Sequence, residues 1–520
     1  MFGRVKPLDA ILATAEKKSL HRSLGPVQLT LLGVGAIIGT GIFVLTAEAA
    51  QKAGPGMMWS FVIAGFVCAV AALCYSELAS MVPVSGSAYT YTYAVMGELL
   101  AWMVGWALIL EYAVAASAVC VGWSGYFVGL LRDYVGITIP AALANGPSAG
   151  GIINLPALTI GLLVTWLLMI GTSESAKVNA VLVTIKVAAL TLFVFATFKY
   201  LNNDTGNFTP FTPNGWGIIG VGGAAASIFF AYVGFDAVST AAEETKDPQR
   251  NVPIGLIGSL AICTVFYLLV AGGAIGAIGA QPVTGLGGEV LSPGSKELAE
   301  RCASLMAVGQ EPLACSKEAL AHVLKSIGWT KLGGVIGLAA GLALPSVILM
   351  MLFGQTRIFF VMARDGLLPE KLATIHPKWK TPHIVTAITG VFVAAAAAFL
   401  PVGKLADISN SGTLFAFFMV AIAVLVLRLK EPDRHRPFKT PLIWLTAPLA
   451  IVGTLALYLL LPFDAKMVLP VWGALGLLIY FAYSRSRSHV GLGRVEVHED
   501  DPDAPQQPVA PLPGGIDIND

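Results

Sequence analysis

Four glycines lie within one apolar stretch of the sequence, GVGAIIGTGIF from Gly33 to Phe43. Glycine weakens a helix, and Gly39, Thr40 and Gly41 form a cluster rather than a helical stripe. We therefore expect the helix to unwind there, although small residues spaced four apart also allow close helix packing. A helix that restarts near Thr40 would offer free N–H groups and a partial positive charge, which suit a carboxylate.

A second apolar stretch, FFAYVGFDAVS from Phe229 to Ser239, also carries a glycine and an ionisable residue near its middle. Matched breaks in two apolar segments are typical of transporters whose discontinuous helices form the substrate site. Unwinding frees backbone carbonyls, here around Ile37 and from Phe230 to Val233, and such acceptors suit an ammonium group. Donors and acceptors together would bind a zwitterionic α-amino acid.

Three ionisable side chains stand inside apolar segments: Glu111, Lys186 and Asp236. A charge at the centre of a bilayer costs about 2.5 to 3.5 kcal/mol on insertion scales, so each needs a partner or a cavity. Lys186 either forms a buried ion pair with Glu111 or Asp236, or it gains and loses a proton during a transport cycle. A fixed ammonium would take the place and charge of a sodium ion, so protons are the expected coupling ion.

The composition indicates a membrane protein, because 56% of the 520 residues are hydrophobic and 12% are charged, with a mean hydropathy of +0.75. The net charge of +1 gives no overall basic field for nucleic acid. Twelve apolar segments are long enough to cross about 30 Å of hydrocarbon. They cover residues 27–50, 57–82, 98–131, 155–171, 177–198, 215–241, 253–278, 332–361, 382–400, 410–428, 441–461 and 467–484.

The two expected breaks fall in segments 1 and 6, so five segments separate corresponding elements. An odd number of crossings per repeat inverts the second repeat in the membrane. This predicts a ten-helix transport core over residues 27–428, with repeats at 27–198 and 215–428, and two further helices at 441–484. An even number of crossings puts both termini on one side, and the Lys and Arg residues of the short loops favour the cytoplasm.

The remaining segments are polar. Residues 1–26 are expected to form a cytoplasmic N-terminal segment, and the Pro-rich, acidic tail at 485–520 to be disordered. The external loop 279–331 contains Cys302 and Cys315, which either form a disulfide or remain two free thiols. No cysteine spacing predicts a metal site. The polar clusters 243–253 and 354–372, which Glu77 could join, are either solvated loops or salt-bridged gates.

The region from Gly35 to His383 contains the segments GAIIGTGIF, PVSGSAYTYTY, GWALILEY, FFAYVGFDAVSTAAEETKDPQRNVPIGL and GQTRIFFVMARDGLLP followed by HPKWKTPH. In combination these segments resemble the amino acid-polyamine-organocation superfamily and, within it, the bacterial members of the cationic amino acid transporter family. The resemblance implies the LeuT-type fold, with broken helices 1 and 6, and amino acid uptake coupled to protons.

The resemblance also implies roles for single residues. The substrate carboxylate would meet the backbone N–H groups of Gly39, Thr40 and Gly41. The substrate amine would meet the carbonyls of Ile37, Phe230, Ala231 and Val233. Lys186 matches the family's helix 5 lysine, with Glu111, Asp236 and the hydroxyl of Thr40 in the polar network around it. Segment 8 contributes to the side-chain pocket in the family, here through Leu344 and Ser346.

We therefore expect an all-α, multi-pass protein of the cell membrane, surrounded by lipid, with both termini in the cytoplasm. It would take up a cationic or small neutral L-amino acid with protons by alternating access. An amino acid exchanger is the alternative, and a non-transporting amino acid sensor is a further one. Enzyme activity is not expected, because no nucleophile with a base and no metal cluster lies near the breaks. Protons apart, no cofactor is expected, and the sequence does not indicate an oligomeric state.

Overall fold

The computed structural model describes residues 4–6, 24–82, 87–171, 176–202, 206–242, 245–379 and 381–493. Within these residues the apolar segments are mainly helical, as expected of a backbone that finds no water to bond in lipid. Most of the predicted N-terminal segment lies outside the described residues, and so does the predicted tail from residue 494 onward.

Among the described residues, eight helical stretches are long and apolar enough to cross a membrane. They are Leu45–Met81, Glu98–Val135, Val178–Leu201, Pro248–Ile278, Thr330–Arg364, Val402–Lys430, Ile443–Leu460 and Phe463–Arg487. Four shorter apolar helices accompany them: Pro26–Ile37, Leu155–Met169, Val221–Tyr232 and His383–Phe399. Each predicted segment overlaps one of these helices, and the chain is an all-helical, multi-pass membrane protein.

The first apolar segment is interrupted where its glycines cluster. The helix Pro26–Ile37 ends before Ile38, whose backbone is extended (φ −72°, ψ 99°). Gly39 lies outside the helical region (φ −151°, ψ −147°), and a short helix, Thr40–Phe43, follows it. The chain then continues into Leu45–Ala53. We call residues 26–53 the first broken segment.

The sixth apolar segment is interrupted in the same manner. The helix Val221–Ile228 tightens into a 3₁₀ turn, Phe229–Tyr232, and Val233 is extended (φ −62°, ψ 139°). Gly234 has a φ of +113°, a conformation that residues with a side chain rarely adopt. A helical turn, Ala237–Thr240, resumes after it. We call residues 221–240 the second broken segment.

The two breaks pack directly against each other. A Cβ atom added to Gly41 would lie 2.3 Å from the Cα of Ala231, and one added to Gly234 would lie 2.9 Å from the carbonyl oxygen of Ala36. The glycines are therefore needed on both sides, since any side chain would push the two backbones apart. Their contact brings the unwound backbone of both breaks to one place in the interior.

Long helices surround this contact. The helix Glu98–Leu130 is central: 94% of its most apolar stretch is buried, and it packs on Thr330–Arg364 and Val402–Lys430. The helix Pro248–Ile278 packs along Pro26–Ile37. By contrast, only 33% of the helix Ile443–Leu460 is buried, which places it at the periphery of the bundle.

One helix begins earlier than its hydropathy predicts. The helix starts at Val402. Its start was predicted at residue 410 because Lys404 and Asp407 lower the hydropathy of its first turns. Both charges have partners: Lys404 lies 3.3 Å from Asp464, and Asp407 lies 3.3 Å from the ammonium of Lys52.

The polar residues near Glu77 form a buried ion-pair network. The Glu77 carboxylate, 1% exposed, accepts two hydrogen bonds of 2.8 Å from Arg428 and one of 2.8 Å from the backbone N–H of Thr440. Arg436 lies 3.2 Å from the same carboxylate. Its partners thus come from the end of Val402–Lys430 and from the connection after it, rather than from either predicted polar cluster.

Asp365, within the predicted polar cluster 354–372, is not a solvated loop residue. It is 3% exposed, and its carboxylate accepts hydrogen bonds from Lys6 at 2.9 Å and from the hydroxyl of Tyr89 at 2.8 Å. Glu243 and Glu244, in the other predicted cluster, lie outside the described residues.

Candidate functional site

The first break presents backbone donors in a closed interior. Gly39 and Gly41 are buried, and Thr40 is 1% exposed. Because the chain restarts a helix at Thr40, the first N–H groups of that turn have no partner within the helix. The Thr40 hydroxyl also has no hydrogen-bond partner among the described residues. The site predicted for a carboxylate therefore combines backbone donors with one unoccupied hydroxyl.

A tyrosine stands between the two breaks. The hydroxyl of Tyr267, on the helix Pro248–Ile278, lies 2.8 Å from the carbonyl oxygen of Ala231 and 3.0 Å from that of Ile37. One hydroxyl has a single proton to donate, so it can satisfy only one of these two predicted acceptors at a time. Tyr267 was missed by the sequence reasoning. Its signal was a tyrosine within an apolar segment, since a buried hydroxyl needs a partner.

Lys186 caps the C-terminal end of the helix Pro26–Ile37. Its side chain is 1% exposed, and its ammonium donates to the carbonyl oxygen of Gly35 at 2.8 Å. In an unbroken helix that carbonyl would accept from residue 39, but Gly39 lies outside the helix. The break thus frees the acceptor that Lys186 satisfies, and the negative end of the helix dipole favours a charged lysine there.

Glu111 and Asp236 form a second polar group. They are 1% and 2% exposed, and their carboxyl groups interact electrostatically. The hydroxyl of Tyr112 donates to Asp236 at 2.9 Å, and one Glu111 oxygen lacks a hydrogen-bond partner among the described residues. The structure therefore joins two of the predicted residues beside the second break and ties the predicted lysine to the first.

The residues predicted for the side-chain pocket lie on the helix Thr330–Arg364. Ser346 is turned toward its own helix, with its hydroxyl donating to the carbonyl of Ala343 at 2.8 Å. Leu344 is fully buried. The side chain that faces the first break is Val347, whose two methyl groups would lie 3.6 Å from a Cβ on Gly39. Sequence spacing alone does not indicate which residue of this helix turns toward the break.

Helix Glu98–Leu130 closes another side of the break. A Cβ atom on Gly122 would lie 2.5 Å from the side chain of Thr40, so glycine is required for this approach. The predicted binding residues are all closed off from solvent: Ile37 is 2% exposed, Phe230 is 6% and Val233 is 4%. The backbone of both breaks is therefore closed off from solvent.

The two loop cysteines are bonded, which resolves the alternative left open by their spacing. Cys302 and Cys315 form a disulfide, while Cys68, Cys74, Cys120 and Cys263 are buried and free. Within the described part of the chain, no group of three or more His, Cys, Asp and Glu side chains is placed to hold a metal ion.

The sequence has well-matched relatives. The profile of the family described as amino acid permease matches residues 24–482. The branched-chain amino acid permease BcaP of Bacillus subtilis is 44% identical over 94% of this chain and 98% of its own length. A methylthioribose transporter of the same organism is 41% identical over 93% of this chain and 98% of its own length. The vacuolar cationic amino acid transporter 4 of Arabidopsis thaliana is 35% identical over 80% of this chain and 64% of its own length.

Proposed function

The chain belongs to the amino acid permease family and is an amino acid transporter, and we propose that it is a proton-coupled importer that works by alternating access. The observation that carries the proposal is the contact between two buried breaks, with a buried lysine bonded to the end of one of them. A transport cycle needs a site that opens to one side of the membrane at a time. A site that is closed to solvent fits the intermediate between the two open states.

We propose the LeuT-type fold, with twelve crossings and two inverted repeats at 27–198 and 215–428. The short apolar helices support it. They fall in segments 1, 4, 6 and 9, so that each short helix of the first half has a counterpart five segments later. Such correspondence between the halves is typical of inverted repeats. Segments 11 and 12, within 441–484, then lie outside the core.

We propose that both termini are cytoplasmic and that the segment after the seventh crossing is extracellular. The disulfide between Cys302 and Cys315 supports this orientation, because disulfides persist in oxidising exteriors and are rare in the cytosol. Seven crossings separate the N-terminus from this segment, which puts the two on opposite faces. The membrane would be the cell membrane, as for a permease that imports nutrients.

We assign the substrate carboxylate to the backbone N–H groups of Gly39, Thr40 and Gly41, with the Thr40 hydroxyl as a further donor. The amine goes to the carbonyls of Ile37, Phe230, Ala231 and Val233. An ammonium group has three donors, and backbone carbonyls accept more than one hydrogen bond. Tyr267 can therefore remain on Ala231 or turn to Ile37 when the substrate enters.

For the side chain we propose a neutral, aliphatic amino acid rather than a cationic one. Val347 offers a branched apolar surface to the first break. The name of the Bacillus subtilis relative, a branched-chain amino acid permease, points the same way.

The test is uptake of radiolabelled leucine into proteoliposomes, with and without a pH gradient in which the outside is more acidic. Competitors would be all twenty amino acids and methylthioribose. We expect accumulation that requires the gradient and is inhibited by valine, leucine and isoleucine but not by lysine. Uptake that needs internal amino acid and ignores the gradient would instead identify an exchanger, and binding without any uptake would identify a sensor.

Replacing Val347 with phenylalanine should shift selectivity from leucine toward alanine. Filling the space opposite Gly39 leaves less room for a branched chain, and a mismatch of one methylene in an apolar pocket changes discrimination by about 10- to 200-fold. The measurement is the ratio of the inhibition constants of alanine and leucine. Val335→Phe is the matched control, because Val335 lies on the same helix and is 46% exposed. An unchanged ratio in Val347→Phe would move the pocket elsewhere.

A further inference from the structure

Residues 280–329, between the helices Pro248–Ile278 and Thr330–Arg364, form a small folded unit that we call the cap. It has its own apolar cluster, made by Val283, Leu291, Leu298 and Cys302. The disulfide joins Cys302, on the helix Lys296–Ala307, to Cys315 at the end of the turn Leu313–Cys315. The bond and the cluster hold residues 283–315 of this unit together.

One side chain of the first broken segment, that of Gln51, is hydrogen-bonded to the backbone of the cap. The amide nitrogen of Gln51 donates to the carbonyl oxygens of Val283 at 2.8 Å and Leu291 at 2.9 Å. Its amide oxygen accepts from the backbone N–H of Val283 at 2.8 Å. Gln51 is 1% exposed, so both of its donor hydrogens are used where water does not reach.

Two other parts of the cap lie close to the same half of the first broken segment. The turn Leu313–Cys315 packs against Leu45–Ala53, and so does the helix Ala319–Ser326. This helix is deeply buried, with Ala319, Leu320 and Leu324 at 0% exposure. The cap therefore covers the half-helix at several points, while Gln51 supplies the directional bonds.

We propose that Gln51 is a positioning residue that couples the cap to the C-terminal half of the first broken segment, so that the two move as one body when the outer path opens and closes. This inference rests on the proposed alternating access and orientation. If the half-helix moved alone, three buried hydrogen bonds would break in every cycle without water to replace them. A joint movement keeps them, and the disulfide keeps the cap rigid enough to follow.

The first test is Gln51→Glu, which keeps the size of the side chain but places a carboxylate against two carbonyl oxygens. We expect kcat to fall about tenfold, with KM for the amino acid changed less than about twofold, because no group assigned to the substrate is altered. Gln281→Glu is the matched control: Gln281 lies on the exposed surface of the cap and bonds only Pro210 among the described residues. A kcat within about twofold of wild type in Gln51→Glu, or an equal fall in both variants, would overturn the proposal.

The second test uses folded wild-type protein and covers the case in which Gln51→Glu does not fold. A membrane-impermeant reductant is added to proteoliposomes, and cleavage of the Cys302–Cys315 bond is verified by mass spectrometry. We expect kcat to fall, and the double variant Cys302→Ser/Cys315→Ser to be slow already and insensitive to the reductant. An unchanged kcat after cleavage would overturn the proposal.

Both tests are read as exchange of labelled for unlabelled amino acid across the membrane. Exchange does not require a proton gradient, so it continues even if the proposed proton coupling is wrong. A wild-type protein that exchanges without responding to pH would refute the coupling, while the behaviour of Gln51→Glu in the same assay still decides the role of the cap.

Discussion

Replacing Gly41 with alanine is expected to lower amino acid uptake by about a hundredfold, because the added methyl group would push the two breaks apart. The added Cβ would lie 2.3 Å from the Cα of Ala231 and 2.5 Å from its Cβ. The obstacle is backbone, which cannot rotate away as the end of a flexible side chain would. The two breaks would have to separate, and the donors of the first would no longer face the acceptors of the second.

The measurement is initial uptake rate per molecule of protein in the membrane, together with the melting temperature of the purified variant. Gly337→Ala is the control, because its new Cβ would stand 3.4 Å from Leu130, an ordinary contact, in the middle of a helix. We expect it to transport normally. If Gly41→Ala transported at a rate close to that of Gly337→Ala, the close contact between the breaks would not be needed for function.

Local chemistry allowed the breaks themselves to be predicted. A cluster such as Gly39, Thr40 and Gly41 carries its effect in its own backbone, because glycine weakens a helix wherever it stands. The same holds for Gly234, whose positive φ is a property of that one residue. What the residue types did not reveal is that Gly41 and Gly234 serve a contact between the two breaks, across a long separation in sequence.

The hydrogen-bond partners of the polar residues could not be predicted from the sequence. Lys186 was identified by its charge in an apolar segment, but its bond to the Gly35 carbonyl depends on where the neighbouring helix ends. Gln51 and Tyr267 were not singled out at all. An amide or a hydroxyl in an apolar helix indicates that a partner is needed but not which one, and the acceptors here lie in the cap and in the breaks.

Hydropathy also has a limit that Asp407 illustrates. Charged residues in the first turns of Val402–Lys430 delayed the predicted start of that helix. In the fold these charges are paired: Asp407 accepts from Ser227 and lies 3.3 Å from Lys52. A window average treats a paired charge as an exposed one, so buried ion pairs near helix ends shorten the predicted segments.

Replacing Lys186 with methionine should abolish accumulation driven by a pH gradient. Methionine fills a similar volume but carries no proton, and it leaves the Gly35 carbonyl without its donor, at a cost of about 1–3 kcal/mol to the free energy of unfolding. A gradient of one pH unit is worth about 1.4 kcal/mol, so a carrier that moves one proton with each amino acid can concentrate its substrate up to about tenfold. We expect the wild type to approach that ratio and the variant to stop at equal concentrations.

The variant should still exchange labelled for unlabelled amino acid, because the groups assigned to the substrate remain in place. Lys404→Met is the matched control, because Lys404 also lies on a membrane-spanning helix. Its side chain is 45% exposed and pairs with Asp464 at 3.3 Å. It should accumulate substrate as the wild type does. Accumulation by Lys186→Met that rises with the pH gradient would assign the proton to another group, and Glu111 beside Asp236 would be the next to replace. Loss of both exchange and accumulation would instead mean that Lys186 acts by holding the first half-helix in place.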